Sequence, residues 1–269
     1  MSSFVALQRV LPARIGSRRA WFLIERNIYV YRSGWLIILS GFFEPLFYLL
    51  SVGLGIGGLV GDVPGPGGQP IPYALFVAPA LLASAAMNGA IAESTFNVFS
   101  KLNFDRVYDA ILTTPLDTGD VALGEITWAV SRATLYALGF IVVIVVLGLV
   151  RSPLAILAVP AATLLAFAFA AVGMSATTYL RTWQDFDLIN LVMLPLFLFS
   201  GTFYPVTAYP EPLRILVMAS PLWQGTDMIR ALVTGVVDPS ILWHVVYLGA
   251  MGLIGLVIVG RRLDKLLLK

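Results

Sequence analysis

Six stretches of this chain are long and apolar enough to cross a lipid bilayer, and nothing else in it constrains the fold as much. They run over residues 35–59, 74–98, 122–149, 154–180, 187–206 and 241–260. A helix needs about 20 mostly apolar residues to span the hydrocarbon core, where its backbone must satisfy its own hydrogen bonds. Of the 269 residues, 59% are hydrophobic and only 12% charged, with mean hydropathy +0.89. Soluble domains carry about a quarter charged residues, so lipid must be the solvent for much of this surface. The expected fold class is an all-α polytopic membrane protein with six transmembrane helices. The first apolar run is long and lacks a small-residue cleavage site, so no cleavable signal peptide is expected.

The basic residues set the orientation. With the N-terminus inside, the inner segments hold Arg9, Arg14, Arg18, Arg19, Arg26, Arg32, Lys101, Arg106, Arg181, Arg261, Arg262, Lys265 and Lys269. The outer segments hold only Arg151, Arg214 and Arg230, while Arg132 lies within a span. Both termini are therefore expected in the cytoplasm. Three parts follow: a cytoplasmic N-terminus over 1–34, a six-helix transmembrane domain over 35–260 and a basic tail over 261–269.

The segment before the first span is patterned. At about 100° per residue, Trp21, Ile24, Ile28, Tyr31 and Trp35 fall on one helix face, with Arg19 and Arg26 nearly opposite. An aromatic face against a cationic one describes a helix lying in the membrane interface, its arginines meeting anionic lipid. A disordered basic leader is the plainer alternative.

Ionisable groups inside spans cost at least ~2.5–3.5 kcal/mol on insertion scales and call for a reason. Glu44 sits mid-way along the first span, ahead of Pro45; Asn88, Glu93, Ser94 and Asn97 line part of the second. Glu125 and Arg132 in the third are seven residues apart, hence on one face and able to compensate each other's charge. These residues could line a polar cavity or gate for an amphipathic cargo. They could equally be interhelical polar glue, or carboxylates reaching water near the inner interface. A proton relay is a third option, without a clean chain of acids behind it.

Several function classes drop out. There is no cysteine and a single histidine, His244, which removes thiol chemistry and makes a histidine-based metal site or triad unsupported. Gly53 to Gly58 satisfies the dinucleotide-binding string, but at the outer end of a span it opens no following helix. Close helix packing through small residues explains it better, as it does Ala162, Ala166 and Ala170, and Gly249, Gly252 and Gly255. No phosphate-binding loop of the nucleotide-hydrolysing type occurs. No catalytic, cofactor or metal site is expected in this chain.

Two connections look mechanical. Between spans two and three, Phe99 to Leu112 has helical spacing, with Phe104, Tyr108 and Ile111 at i, i+4, i+7 and polar Lys101, Asp105, Arg106 and Asp109 between them. Thr114-Pro115 ends that helix, and Asp117 to Asp120 makes a turn before span three. Such a helix can lie against a cytoplasmic partner, or be amphipathic for interface reasons alone. On the outer side, Glu211 to Ala219 and Trp223 to Val237 flank Ser220-Pro221; the first is too short to cross, and Asp227 and Arg230 keep the second from lipid. They read as re-entrant or interfacial helices, closing a pathway or forming a passive folded loop.

Three strings carry a family resemblance. PALLASAAMNGAIAESTF from Pro79 to Phe96, AILTTPLDTGDVALGE from Ala110 to Glu125, and FSGTFYPV from Phe199 to Val206 with Ser220-Pro221-Leu222 and Asp227 to Arg230 after it resemble the type-2 (exporter-type, ABC-2) ABC transporter permeases, in the branch close to nodulation protein J. The resemblance implies a permease subunit in the bacterial inner membrane. It implies a second permease copy, expected as a homodimer, and two copies of an ATP-binding subunit that hold ATP and Mg. It places an ATPase-coupling helix at Phe99 to Leu112, with Lys101, Phe104, Asp105, Arg106, Tyr108 and Asp109 as coupling residues, and outer re-entrant helices at Glu211 to Val237. Glu44, Asn88, Glu93, Glu125, Arg132, Asp227 and Arg230 are then the candidates for translocation and gating. The implied cargo is amphipathic: a lipo-oligosaccharide or glycolipid, or a hydrophobic drug. The competing reading is a gradient-driven transporter or an intramembrane enzyme acting on lipid-linked sugars, using Glu44, Glu93 or Glu125. No nucleic-acid partner is expected.

Overall fold

The computed structural model describes residues 19–32 and 43–268, and within them five helices are long and apolar enough to cross a membrane. In chain order the elements are α1 (Ala20–Tyr31), α2 (Phe43–Val60), the strands β1 (Asp62–Pro64) and β2 (Pro70–Pro72), α3 (Tyr73–Asn103), α4 (Val107–Ile111), α5 (Thr118–Val146), α6 (Pro153–Thr177), α7 (Phe186–Phe199), α8 (Glu211–Met218), α9 (Pro221–Thr234) and α10 (Ser240–Leu267). The fold is all-α and polytopic apart from the β1–β2 hairpin, whose antiparallel pairing of Val63 with Ile71 closes the Gly- and Pro-rich break. The expected Trp35, the beginning of the first span and the ends of the chain lie outside the described residues.

The fifth expected span differs from its sequence outline. Its apolar run covers 187–206, yet α7 stops at Phe199 after 14 residues, about 21 Å of helix, short of the ~30 Å hydrocarbon core. Gly201 ends it in the left-handed region, at φ +67°, and an added Cβ there would sit 3.2 Å from the Trp223 ring. Pro205 follows two residues after Phe203, so apolar composition continues where helix cannot.

α3 is the centre of the bundle. Its most apolar window is 83% buried, against 17% for α2, which leaves most of its surface outward. Around α3 pack α5, α6 and α9, and α10 lies along α6. Ala162, Ala166 and Ala170 are fully buried in the bundle, and across the α6–α10 seam Gly252 faces Phe167 and Gly255 faces Ala171. A Cβ on Gly255 would come within 2.8 Å of the Ala171 carbonyl carbon, so only glycine permits that approach. Ser175 Oγ donates to the Gly255 carbonyl at 2.9 Å. Gly249, expected in the same seam, meets nothing within 4 Å. In the outer glycine run, Gly57 faces Tyr73 whereas Gly58 faces open space, so that run is only partly a packing seam.

Local signals explain where the other helices begin. Asp117 accepts from the Asp120 amide at 2.8 Å while Asp120 accepts back from the Asp117 amide at 3.2 Å. This reciprocal cap starts α5 at Thr118 rather than at 122, turning the expected 117–120 loop into its first turn. Ser220 caps α9 through the Trp223 amide, with Pro221 in the first turn.

Candidate functional site

The region between spans two and three is where the structure departs most usefully from expectation. Phe99 to Leu112 is not one helix. α3 runs on to Asn103; the chain then breaks, with Arg106 in a left-handed conformation at φ 47°, and resumes as the five-residue α4. A left-handed arginine is uncommon and costs energy that surrounding structure must hold in place. No glycine or proline marks this break, which is why the i, i+4, i+7 pattern read through it.

The six coupling candidates separate into two sets. Phe104, Asp105, Arg106 and Asp109 are exposed, while Lys101 and Tyr108 are buried. Lys101 Nζ lies 2.8 Å from Glu125 Oε2 on α5 and 3.3 Å from Asn27 Oδ1 on α1. Asn27 Nδ2 donates to Glu125 Oε2 at 3.4 Å and closes the triangle. Lys101 is thus a bolt joining α1, α3 and α5, not a surface contact. Burial pushes the Tyr108 phenol well above its ordinary pKa, with the nearby Glu125 charge adding to the effect.

A second ionic cluster lies higher on the same helices. α3 widens to a π turn over Glu93–Asn97, a departure that often marks functional positions. Glu93 is ion-paired with Arg132 and also accepts from Trp128 Nε1 at 2.8 Å and from Tyr31 OH at 3.3 Å. Asn97 donates to Glu93 and to the Tyr31 hydroxyl. Arg132 continues to Tyr136 OH at 2.8 Å and sits 5.0 Å over the Tyr31 ring. Burial first, then the Glu93 charge, push the Tyr31 phenol up to about 12. The expected Glu125–Arg132 compensation therefore does not occur: each charge finds its partner on α3. Spacing along one helix can report only what shares a face, not which neighbour stands opposite.

The α1 face is likewise corrected. Leu23, Ile24 and Asn27 are buried and Tyr31 half-buried, whereas Trp21, Ile28 and Tyr29 are exposed. Two stripes share this helix: one docks on α5, where Leu23 fills the space a Gly124 side chain would need, and one aromatic stripe faces outward. Asn27 was passed over because a lone polar residue in an amphipathic helix reads as surface.

The remaining gating candidates are scattered. Glu44 is exposed on α2 and makes no hydrogen bond or ion pair among the described residues. Asn88 is half-buried on α3. At the outer end, Arg230 is buried, its Nε donating to the Phe76 carbonyl at 3.2 Å and its Nη2 to the Gly201 carbonyl at 2.7 Å, with the guanidinium 3.8 Å over the Phe76 ring. Burial pushes it down to about 10, so it stays cationic at neutral pH. Asp227 turns instead to His244, 3.3 Å away, whose other ring nitrogen is hydrogen-bonded to Gln224. His244 and Gln224 were not among the candidates. A single histidine excluded a metal site, but its position in the first turn of the last span could have flagged a polar cap. Nearby, α7 and α8 enclose an apolar cavity of about 640 Å³ lined by Leu191, Leu196, Phe199 and Leu216.

Trp183 is the other residue missed. From the inner connection before α7 it stacks on Phe104, with ring centroids 5.5 Å apart and planes at 15°, and meets Phe99 and Phe186. The exposed segment between α3 and α5 is thereby tied to the connection between α6 and α7. A profile of the ABC-2 type transporter family matches residues 18–234, which takes in every one of these clusters except His244. The chain belongs to the ABC-2 type transporter family. It is similar to nodulation protein J of Rhizobium leguminosarum bv. trifolii, 32% identical over 223 residues, covering 82% of this chain and 83% of the relative. The same-named protein of Rhizobium leguminosarum bv. viciae is 28% identical over 252 residues, covering 91% and 95%. That of Rhizobium meliloti (strain 1021) is 32% identical over 216 residues, covering 80% and 79%. The chain is a transmembrane ABC transporter permease, and the family implies partnership with an ABC ATP-binding subunit.

Proposed function

We propose that this permease exports an amphipathic cargo, a lipo-oligosaccharide, other glycolipid or hydrophobic drug, across the bacterial inner membrane with both termini in the cytoplasm. It works as one of two permease copies above two ATP-binding subunits, which hold the ATP and Mg. The observation that carries this reading is the pairing of Lys101 with Glu125 behind the exposed Phe104, Asp105, Arg106 and Asp109. A surface that is pushed transmits movement only if it is stiffly joined to what must move. Here the exposed turn continues directly from α3, and the buried ion pair ties α3 to α5 and, through Asn27, to α1. Push on the turn and three helices tilt together.

The cargo class draws on the similarity to nodulation protein J and on the apolar cavity between α7 and α8, which suits the hydrocarbon part of such a cargo. The experiment is reconstitution with the ATP-binding subunit, measuring ATP hydrolysis and cargo movement together. Replacing Arg106 and Asp109 with alanine should leave the protein in the membrane and hydrolysis measurable while transport falls by tenfold or more. Wild-type transport in that double variant removes the two residues from coupling, and full-rate transport by the permease alone overturns the whole reading.

A further inference from the structure

Beside the exposed turn, the inner ends of three spans leave a cavity of about 530 Å³ that neither Lys101 nor Glu125 lines. It lies between the end of α3, the residues just past α6 and the last turns of α10. Arg106, Arg181 and Arg262 all line it, against the single carboxylate of Asp109. We propose that this cavity binds the phosphate-bearing headgroup of an anionic membrane lipid.

Three observations lead there. One guanidinium is already fixed in place: Arg262 Nη2 donates to the Thr178 carbonyl at 3.0 Å and its plane rests 4.0 Å over the Tyr179 ring. Arg262 Nε also donates to Thr178 Oγ1 at 3.5 Å, which leaves Nη1 as the guanidinium nitrogen with no hydrogen bond among the described residues. The side chains of Arg106 and Arg181 make no hydrogen bond or ion pair within 4 Å among the described residues; Arg181 feels the Asp185 charge at longer range, and the lining itself keeps three cations against one carboxylate. Planar guanidinium forks suit the several oxygens of a phosphate, and basic pockets between span ends suit lipid headgroups. The third observation is depth. The cavity begins where the apolar spans end, Tyr179 beside it is exposed as interfacial aromatics are, and Leu102, Leu266 and Leu267 line it alongside the arginines. A water-borne anion has no use for leucines, whereas a lipid presents phosphate and hydrocarbon together.

The inference does not depend on the cargo or on ATP coupling, and the full chain can be tested by itself. In phosphatidylcholine vesicles, spin-labelled phosphatidylglycerol and spin-labelled phosphatidylcholine report how strongly each lipid is held. The wild type should retain the phosphatidylglycerol probe about fivefold better. R181Q/R262Q should bring the two probes level, while K265Q, outside the cavity, should keep the preference. Matching circular dichroism and elution profiles guard against misfolding, and R106Q, which leaves the Arg262 contacts intact, gives a second reading in the same direction. An unchanged preference in both arginine variants, or none in the wild type, overturns the proposal. So does displacement of the probe by excess inorganic phosphate, which would mark a soluble-anion site. Loss of the preference on adding the ATP-binding subunit would assign the arginines to an acidic side chain of that partner, and the proposal falls.

Discussion

The two ends of this bundle are held together by different chemistry. At the inner end, full charges on α3 meet full charges on α5: Lys101 with Glu125, Glu93 with Arg132, with α1 hydrogen-bonded into both pairs through Asn27 and Tyr31. At the outer end, Arg230 bonds, among the described residues, to backbone carbonyls, His244 leans on Gln224 and Asp227, and a large apolar cavity stands between α7 and α8. A buried ion pair is costly to open, because each partner would be left charged in a medium that solvates it poorly. A cavity, by contrast, can be filled or emptied by sliding helices. One end is stiffened by ion pairs between helices, and the other has open volume between its helices.

The comparison is most easily broken at the bolt. Lys101→Met should destabilise the protein by about 3–5 kcal/mol, because Glu125 is then buried without a partner, and thermal denaturation in a fixed detergent measures it. Lys101→Met with Glu125→Met should recover most of the loss. No rescue would mean that the pair is not what holds the block. At the outer end Arg230→Met strips a cation from two carbonyls and should cost about 1.5–3 kcal/mol on the same scale. A larger loss there than at Lys101 would reverse the comparison. Gln224→Leu removes one neutral partner of His244 and should cost about 1 kcal/mol. The smallest thermal effect belongs to Trp183→Ala, about 0.5–1.5 kcal/mol for a half-exposed stack. Its signature is a fall in cargo moved per ATP hydrolysed, since the two inner connections are no longer joined.

Much of this was legible from composition and spacing, within definite limits. Apolar length located the membrane helices, because the bilayer reads length and hydropathy directly. The two short helices before the last span, α8 and α9, emerged close to their expected bounds, each marked by proline or by polar residues at helical intervals. What stayed hidden were facts about neighbours. Glu125 and Arg132 share a face of α5, but their partners lie 24 and 39 residues away along the chain. Asn27, Trp183 and His244 acquire meaning only from what stands against them. The early end of α7 and the break at Arg106 were missed for a related reason: a left-handed arginine has no local signature, and apolar residues past Phe199 look the same in helix or in loop.

One turn of α3 has a consequence for how this chain tolerates change. The π geometry at Glu93–Asn97 accommodates an additional residue within the rod, so everything beyond it is rotated relative to a regular helix. Shortening that stretch by one amino acid would restore ordinary winding and leave Lys101 facing Glu125, because the lost residue is the one the wide turn absorbs, whereas a deletion between Val98 and Lys101 would swing Lys101 about 100° around the axis, away from Glu125. A single-codon deletion is thus tolerated in phase within Glu93–Asn97, whereas one in the regular turns beside it would mis-aim the side chains beyond it.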